Sequence, residues 1–77
     1  MTALRIENEF LQTLVNEKLA VTVFLQYGVK LQGIITDFDD TSILLRRDAH
    51  TQLVYKHAVS TIMPAQIVSL KEEQPHE

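Results

Sequence analysis

The sequence has no cysteine and no tryptophan, and only two glycines and two prolines in 77 residues. Each shortage excludes something. Without cysteine there is no disulfide staple and no thiolate metal site. No apolar run approaches the roughly 18 residues that cross a membrane as a helix. The first residues lack a basic segment followed by an apolar run, so no secretory leader is expected and the cytoplasm is the default compartment. There is no basic excess. Seven Lys and Arg face ten Asp and Glu, for a net charge of −3. That balance argues mildly against a nucleic-acid binder, which is usually basic. No Ser, Cys or Asp pattern accompanies His57, so the chain does not read as an enzyme. Asp37, Asp39 and Asp40 lack the glycine and distal glutamate of a calcium loop and read as a turn with side-chain-to-backbone hydrogen bonds. His50 and His76 are isolated, so no metal and no cofactor is expected.

What is present suits a globular domain. Hydrophobic residues make up 45% of the chain, which argues against disorder. A chain this short forms one domain and buries only about 60% of the surface its unfolded form exposes. So small a core without staples calls for partner subunits. Five of the ten acids lie near the ends: Glu7, Glu9, Glu72, Glu73 and Glu77. Between Leu19 and Pro64 four acids meet four bases, namely Lys30, Arg46, Arg47 and Lys56. RNA binding therefore depends on how those charges sort onto faces.

The hydrophobic period changes along the chain. Ile6, Phe10, Leu11, Leu14 and Val15 form one helical stripe between Ile6 and Lys18. The polar side of that helix is acidic, so the stripe is expected to pack on a sheet and not on a membrane. After Leu19 the period becomes two. Val21, Val23 and Leu25 mark a first strand, and Tyr27-Gly28 a turn. Val29 to Thr36 make a second strand with Gly33 in its middle, where a glycine commonly marks a bend or bulge. Asp37 to Thr41 read as a connection, Ser42 to Arg46 as a third strand and Arg47 to Thr51 as a polar loop. Gln52 to His57 and Val59 to Met63 are strands four and five, joined by a tight hairpin-like bend that lifts Lys56 and His57 to its tip. Connections this short exclude parallel crossovers, so the sheet is antiparallel and strongly bent. The domain runs over residues 1–65, and residues 66–77 form a short acidic tail without fixed structure. The last two strands are apolar and lie at sheet edges. Exposed apolar edges ask for partners, and pairing strand four of one copy with strand five of the next gives a ring if the rotation closes.

These residues resemble the Hfq family, the bacterial Sm-like RNA chaperones. Val21-Thr22-Val23-Phe24-Leu25, Gly28-Val29-Lys30-Leu31-Gln32-Gly33 and Phe38-Asp39 match its first Sm motif. Tyr55-Lys56-His57-Ala58-Val59-Ser60-Thr61 match its second. The likeness covers residues 6 to 65. It implies a mainly β fold with an N-terminal helix and a strongly bent, five-stranded open barrel. It also implies a homohexamer with no catalytic step, acting on small regulatory RNAs and mRNAs in post-transcriptional regulation and stress response. On the distal face, where the family takes A-rich single-stranded RNA, the matching positions are Phe24, Tyr27, Gly28, Val29, Lys30, Leu31, Gln32, Gln52 and Thr61. Tyr27 stands where asparagine is usual. At the proximal pore, where the family takes U-rich RNA, they are Glu7, Asp40, Thr41, Tyr55, Lys56 and His57. Glu7 replaces a glutamine, and Asp40 and Thr41 replace a glutamine and an aromatic. An ionised carboxylate cannot donate to uracil carbonyls, so pore binding is expected to be weakened. At the rim only Lys18, Arg46 and Arg47 remain to catch phosphates. A hexamer would carry a formal charge of −18, six times −3, and weak annealing is expected.

Two plainer readings stand beside these. Phe24 as an outward strand aromatic can instead cover a subunit interface, and Lys56-His57 taken alone is a solvated turn. The alternative for the whole chain is an Sm-fold ring scaffold, or a protein-interaction module, with little RNA binding.

Overall fold

The computed structural model describes residues 4–68. It runs α1 (Arg5–Glu17), β1 (Ala20–Leu25), β2 (Lys30–Phe38), β3 (Ser42–Arg47), β4 (His50–Tyr55), one turn of 3-10 helix (Lys56–Ala58) and β5 (Val59–Pro64). Every strand pair is antiparallel, and the sheet order is β4-β3-β2-β1-β5. The helix followed by five antiparallel strands is the architecture expected from the sequence.

The two periodicities build one core. Leu11 and Leu14 of the helical stripe are buried against Val21, Val23, Ile35, Ile43, Leu45 and Val54 of the first four strands. Phe10 and Val15 pack at its margin. Ile6, in the first helical turn, stays 62% exposed, so the packed stripe begins at Phe10. Lys18 ends the helix in the left-handed conformation (φ 51°). The Lys18 N–H donates to the Leu14 and Val15 carbonyls, and the Leu19 N–H also reaches back to the Leu14 carbonyl at 3.3 Å, closing the helix end.

The sheet curls because its edges are tied together. β4 and β5 lie at opposite ends of five strands. Neighbouring strands sit about 4.8 Å apart, so a flat sheet would separate these edges by roughly 19 Å. Only the turn Lys56–Ala58 joins them, and 3-10 helix rises only about 2 Å per residue. The sheet therefore bends until its edges approach. Two features permit this. Gly33 lets β2 close onto the Arg46 carbonyl, and the β2–β3 register shifts between Ile35 and Asp37.

Three sequence expectations need correction. The expected hairpin-like bend at Lys56-His57 is a 3-10 turn between two strands that do not pair. Its alternation with Leu53 and Tyr55 ends at Tyr55, where β4 runs out of partners on β3. Asp37 and Phe38 belong to β2, because the register shift lets them pair with Leu44 and Ile43. The expected polar loop of residues 47–51 shrinks to Asp48 and Ala49. Asp48 adopts a left-handed conformation (φ 56°) that closes the turn, and Arg47 then pairs with His50 and Arg46 with Thr51. Polar side chains at a strand end hid this pairing from a hydrophobic pattern. Val68 packs against the core; the expected unstructured tail otherwise lies outside the described residues, from 69 onward.

Candidate nucleic-acid interface

Residues paired directly across antiparallel strands share a face. Phe24 pairs with Lys30 on one side and with Thr61 on the other. Gln32 pairs with Thr22, two positions from Phe24. By alternation, Phe24, Lys30, Gln32 and Thr61 all lie on the face turned away from buried Val21 and Val23. Phe24 is half-buried, while Lys30, Gln32 and Thr61 are exposed. The sheet thus presents an aromatic, a cation, an amide and a hydroxyl on one outward surface.

A second cluster forms towards the β4 edge. Lys30, Leu31 and Gln32 of β2 and Gln52 of β4 line one groove of about 390 Å³, with Arg47 and His50 at its side. The β1–β2 turn closes with Leu25 N–H donating to Val29 O at 2.8 Å and Gly28 N–H donating to Leu25 O at 3.1 Å. Gly28 sits at φ +92°, a conformation that favours glycine. Tyr27 beside it is 84% exposed, and Val29 is also exposed. The distal-face candidates therefore form one band across the sheet. Lys30, Leu31, Gln32 and Gln52 share a groove, and Lys30 continues through its partner Phe24 on β1 to Thr61 on β5. The protomer does not bring Gln52 and Thr61 together.

The proximal candidates gather at the 3-10 turn. The Lys56 ammonium pairs with the Glu7 carboxylate of α1 and lies 5.4 Å from the centre of the Phe38 ring. The Lys56 side chain is only 14% exposed. Its backbone N–H donates to Thr41 O at 2.8 Å. Tyr55 and His57 stack at 5.7 Å between ring centres, with planes 15° apart. Asp40 and Thr41 are exposed on the turn before β3. Glu7, Thr41, Tyr55, Lys56 and His57 are thus neighbours, but the charge of Lys56 is already answered by Glu7.

At the rim, Lys18 and Arg46 line a common groove with Asp48. Arg47 does not join them, since strand alternation sends it to the other face and into the groove of Gln52.

The site residues inferred from the sequence omit several that hold this surface in shape. Asp39 accepts the backbone N–H groups of Ser42 at 2.8 Å and Thr41 at 3.0 Å. The Thr41 and Ser42 N–H bonds hold its carboxyl below the usual aspartate range against desolvation, with the charge of Lys56 and the Thr41 hydroxyl adding lesser help. The Asp39-Asp40-Thr41-Ser42 spacing is the signal that marks such a turn. Gln26 donates its side-chain amide to His57 O at 3.0 Å, and its backbone N–H to Ala58 O at 2.8 Å. It ties the end of β1 to the 3-10 turn, and nothing in the sequence pattern marks it. Phe38 lies beneath Lys56, which only the three-dimensional arrangement reveals.

Among the described residues no three His, Asp or Glu side chains are placed to hold a metal ion, and no helix is long and apolar enough to cross a membrane.

Comparison with known proteins agrees with this architecture. The family model described as Hfq protein matches residues 6–69. A protein from Rhodospirillum rubrum named RNA-binding protein Hfq is 58% identical over 94% of this chain and 87% of its own length. One from Bartonella quintana with the same name is 53% identical over 94% of this chain and 91% of its own. A solved structure of a protein described as the pleiotropic translational regulator Hfq superposes with a TM-score of 0.73 at 31% identity, over 75% of this chain and 97% of that one. With a family model spanning most of the chain and relatives above half identity along nearly its whole length, the chain belongs to the Hfq family.

Proposed function

We propose that the chain is a non-enzymatic RNA chaperone. It assembles as a hexameric ring, with β4 of one copy pairing with β5 of the next. The ring binds A-rich single-stranded RNA on the face carrying Phe24, Lys30 and Gln32, and acts on small regulatory RNAs and mRNAs in the cytoplasm. Residues 1–65 form the ring-building unit. The observation that carries this reading is the spread of the distal residues across the sheet. Gln52 lies on the β4 edge and Thr61 on the β5 edge, with Phe24 of β1 and Lys30 and Gln32 of β2 between them. Each protomer thus carries Gln52 and Thr61 at opposite edges, and edge pairing around a ring sets the Gln52 of one copy towards the Thr61 and Phe24 of its neighbour. Leu53 and Tyr55 on β4 and Met63 on β5 are exposed apolar side chains, as such pairing requires. An aromatic gives a base a stacking surface, and glutamine amides both donate and accept at an adenine edge. The names of the relatives point the same way.

At the pore, Glu7 answers Lys56 and Asp40 adds another negative charge, so U-rich RNA binds weakly. With only Lys18 and Arg46 brought together at the rim, beside Asp48, the ring anneals RNA slowly. The same ion pair and the net charge of −3 favour a second reading, a ring scaffold or protein-interaction module with little RNA binding. Binding of labelled oligo-A and oligo-U at one stated salt, beside a mass determination of the assembly, separates the two. A hexamer that binds oligo-A below micromolar concentration supports the chaperone. A ring that binds neither strand supports the scaffold.

A further inference from the structure

The β3–β4 hairpin ends in two residues, Arg47 and His50, that the proposed function leaves unused. On β3, Ile43, Leu45 and Arg47 alternate on one face, and their partners on β4 are Val54, Gln52 and His50. The row begins with a buried apolar pair, Ile43 and Val54. It passes through buried Leu45 and the exposed amide of Gln52, and it ends at Arg47 and His50, both exposed. The core stops at Leu45. The same alternation then delivers a guanidinium and an imidazole into the groove of Lys30 and Gln52. Arg46 is turned to the opposite face and donates to the Asp48 carbonyl at 3.3 Å.

The cations of this groove are uncompensated. Among the described residues the ion pairs are Arg5–Glu9 and Lys56–Glu7. Neither Arg47 nor Lys30 therefore has a carboxylate partner, although Asp48 lies in the same groove. Arg and Lys only donate, and His keeps at least one N–H donor in either protonation state. No Phe or Tyr lines the groove. This end offers donors for an anion and not a platform for a base.

We propose that Arg47 and His50 form a phosphate subsite at the end of the distal groove, holding the backbone of the A-rich strand beside the base at Gln52. The inference rests on the reading of this face as the A-rich RNA surface. Gln52 and His50 are two residues apart on one strand, about 7 Å, a span that a ribose bridges between a base and its phosphate. The planar guanidinium meets two phosphate oxygens at once, His50 donates a third hydrogen bond, and Lys30 adds a point charge from β2. Arg47 thus belongs to the distal face and not to the rim. It lies on β3, one strand in from the edge that closes the proposed ring.

The test follows fluorescein-labelled oligo-A by anisotropy across a series of salt concentrations, on the full chain in its native assembly. Arg47→Ala is expected to weaken binding about tenfold or more and to lower the slope of log affinity against log salt by about one. His50→Ala should weaken binding roughly fivefold, the worth of one hydrogen bond. Arg5→Ala removes the same charge from α1, where Arg5 pairs with Glu9 at 3.1 Å, and should change neither affinity nor slope. Arg47→Lys keeps the charge without the fork, so it should keep the parent's slope and still bind more weakly. Parent affinity in Arg47→Ala or in His50→Ala overturns the subsite, as does a loss in Arg47→Ala no larger than that of Arg5→Ala. A loss of affinity at unchanged slope in Arg47→Ala also overturns it, because the contact is then with a base. If the alanine variant does not assemble in light scattering, Arg47→Lys decides, and parent affinity there overturns the subsite. A parent whose oligo-A affinity is independent of salt overturns it without any variant. In all these outcomes the parent binds oligo-A and the distal reading stands; a parent that does not bind oligo-A overturns both.

Discussion

Gly33 lies so close to Arg46 that a Cβ built on it would stand 2.5 Å from the Arg46 carbonyl oxygen and 3.3 Å from Leu45 Cγ. The oxygen belongs to a paired backbone in β3, which cannot move aside as a side chain could. Gly33→Ala must therefore push β2 and β3 apart where the sheet bends. A loss of about 2 kcal/mol or more is expected, read as a melting temperature lower by roughly 10 °C in a domain of this size. Melting within a degree or two of the parent would show that the approach is not tight.

Lys18 combines two roles that a substitution can separate. Its left-handed backbone at the helix end is a conformation that costs a non-glycine residue about 1 kcal/mol. Its side chain is one of the cations proposed for the rim. Lys18→Gly is expected to raise stability by about 1 kcal/mol in urea unfolding. The same change should weaken RNA binding at the rim and shrink the salt dependence of affinity by about one phosphate contact. A variant that is more stable and has an unchanged salt slope would remove Lys18 from the rim.

Asp39 sets an acid limit on the β2–β3 turn. Backbone N–H donors from Thr41 and Ser42 lower its folded pKa, while the unfolded value stays near 3.9. A depressed carboxyl contributes stability that is complete above its unfolded pKa and is lost as pH falls through the folded one. Asp39→Asn should therefore lower stability at pH 7 and flatten its decline below about pH 4. Urea midpoints collected between pH 7 and pH 3 check both. Parallel curves for the two proteins would mean that the turn does not depend on the charge.

The sequence reveals the parts of this molecule that follow a period. The α1 stripe with Leu11 and Leu14, and the alternation of Val21 with Val23, are hydrophobic patterns imposed by burial. Gly33 is legible because a glycine inside a strand has few other reasons to be there. The turn at Asp48 is not legible, since an aspartate in a left-handed conformation leaves no hydrophobic trace and Arg47, His50 and Thr51 carry no alternation. The candidate site divides in the same way. Phe24, Lys30 and Thr61 share a face that register dictates. The Glu7–Lys56 pair joins residues 49 positions apart, a distance that only the packing of α1 against the 3-10 turn closes, and Gln26 acts through hydrogen bonds no pattern announces.

The proposed distal site takes Gln52 from the β4 edge and Thr61 from the β5 edge, so RNA binding is expected to depend on assembly. Leu53 is an exposed apolar side chain on the β4 edge and takes no part in the core. Leu53→Asp puts a charge where the next copy's β5 would pair, and it is expected to shift the ring towards monomers in light scattering while the protomer keeps its fold by circular dichroism. Oligo-A affinity should fall with the ring, although Phe24, Gln32 and Gln52 are unchanged. Phe24→Ala is the complement. It should leave the ring intact and weaken oligo-A binding by about 1–3 kcal/mol, the worth of one stacked base, or roughly tenfold to a hundredfold. A Leu53→Asp monomer that bound oligo-A as tightly as the parent would place the whole site within one protomer. A ring of Phe24→Ala with undiminished affinity would return Phe24 to the role of an aromatic covering the interface.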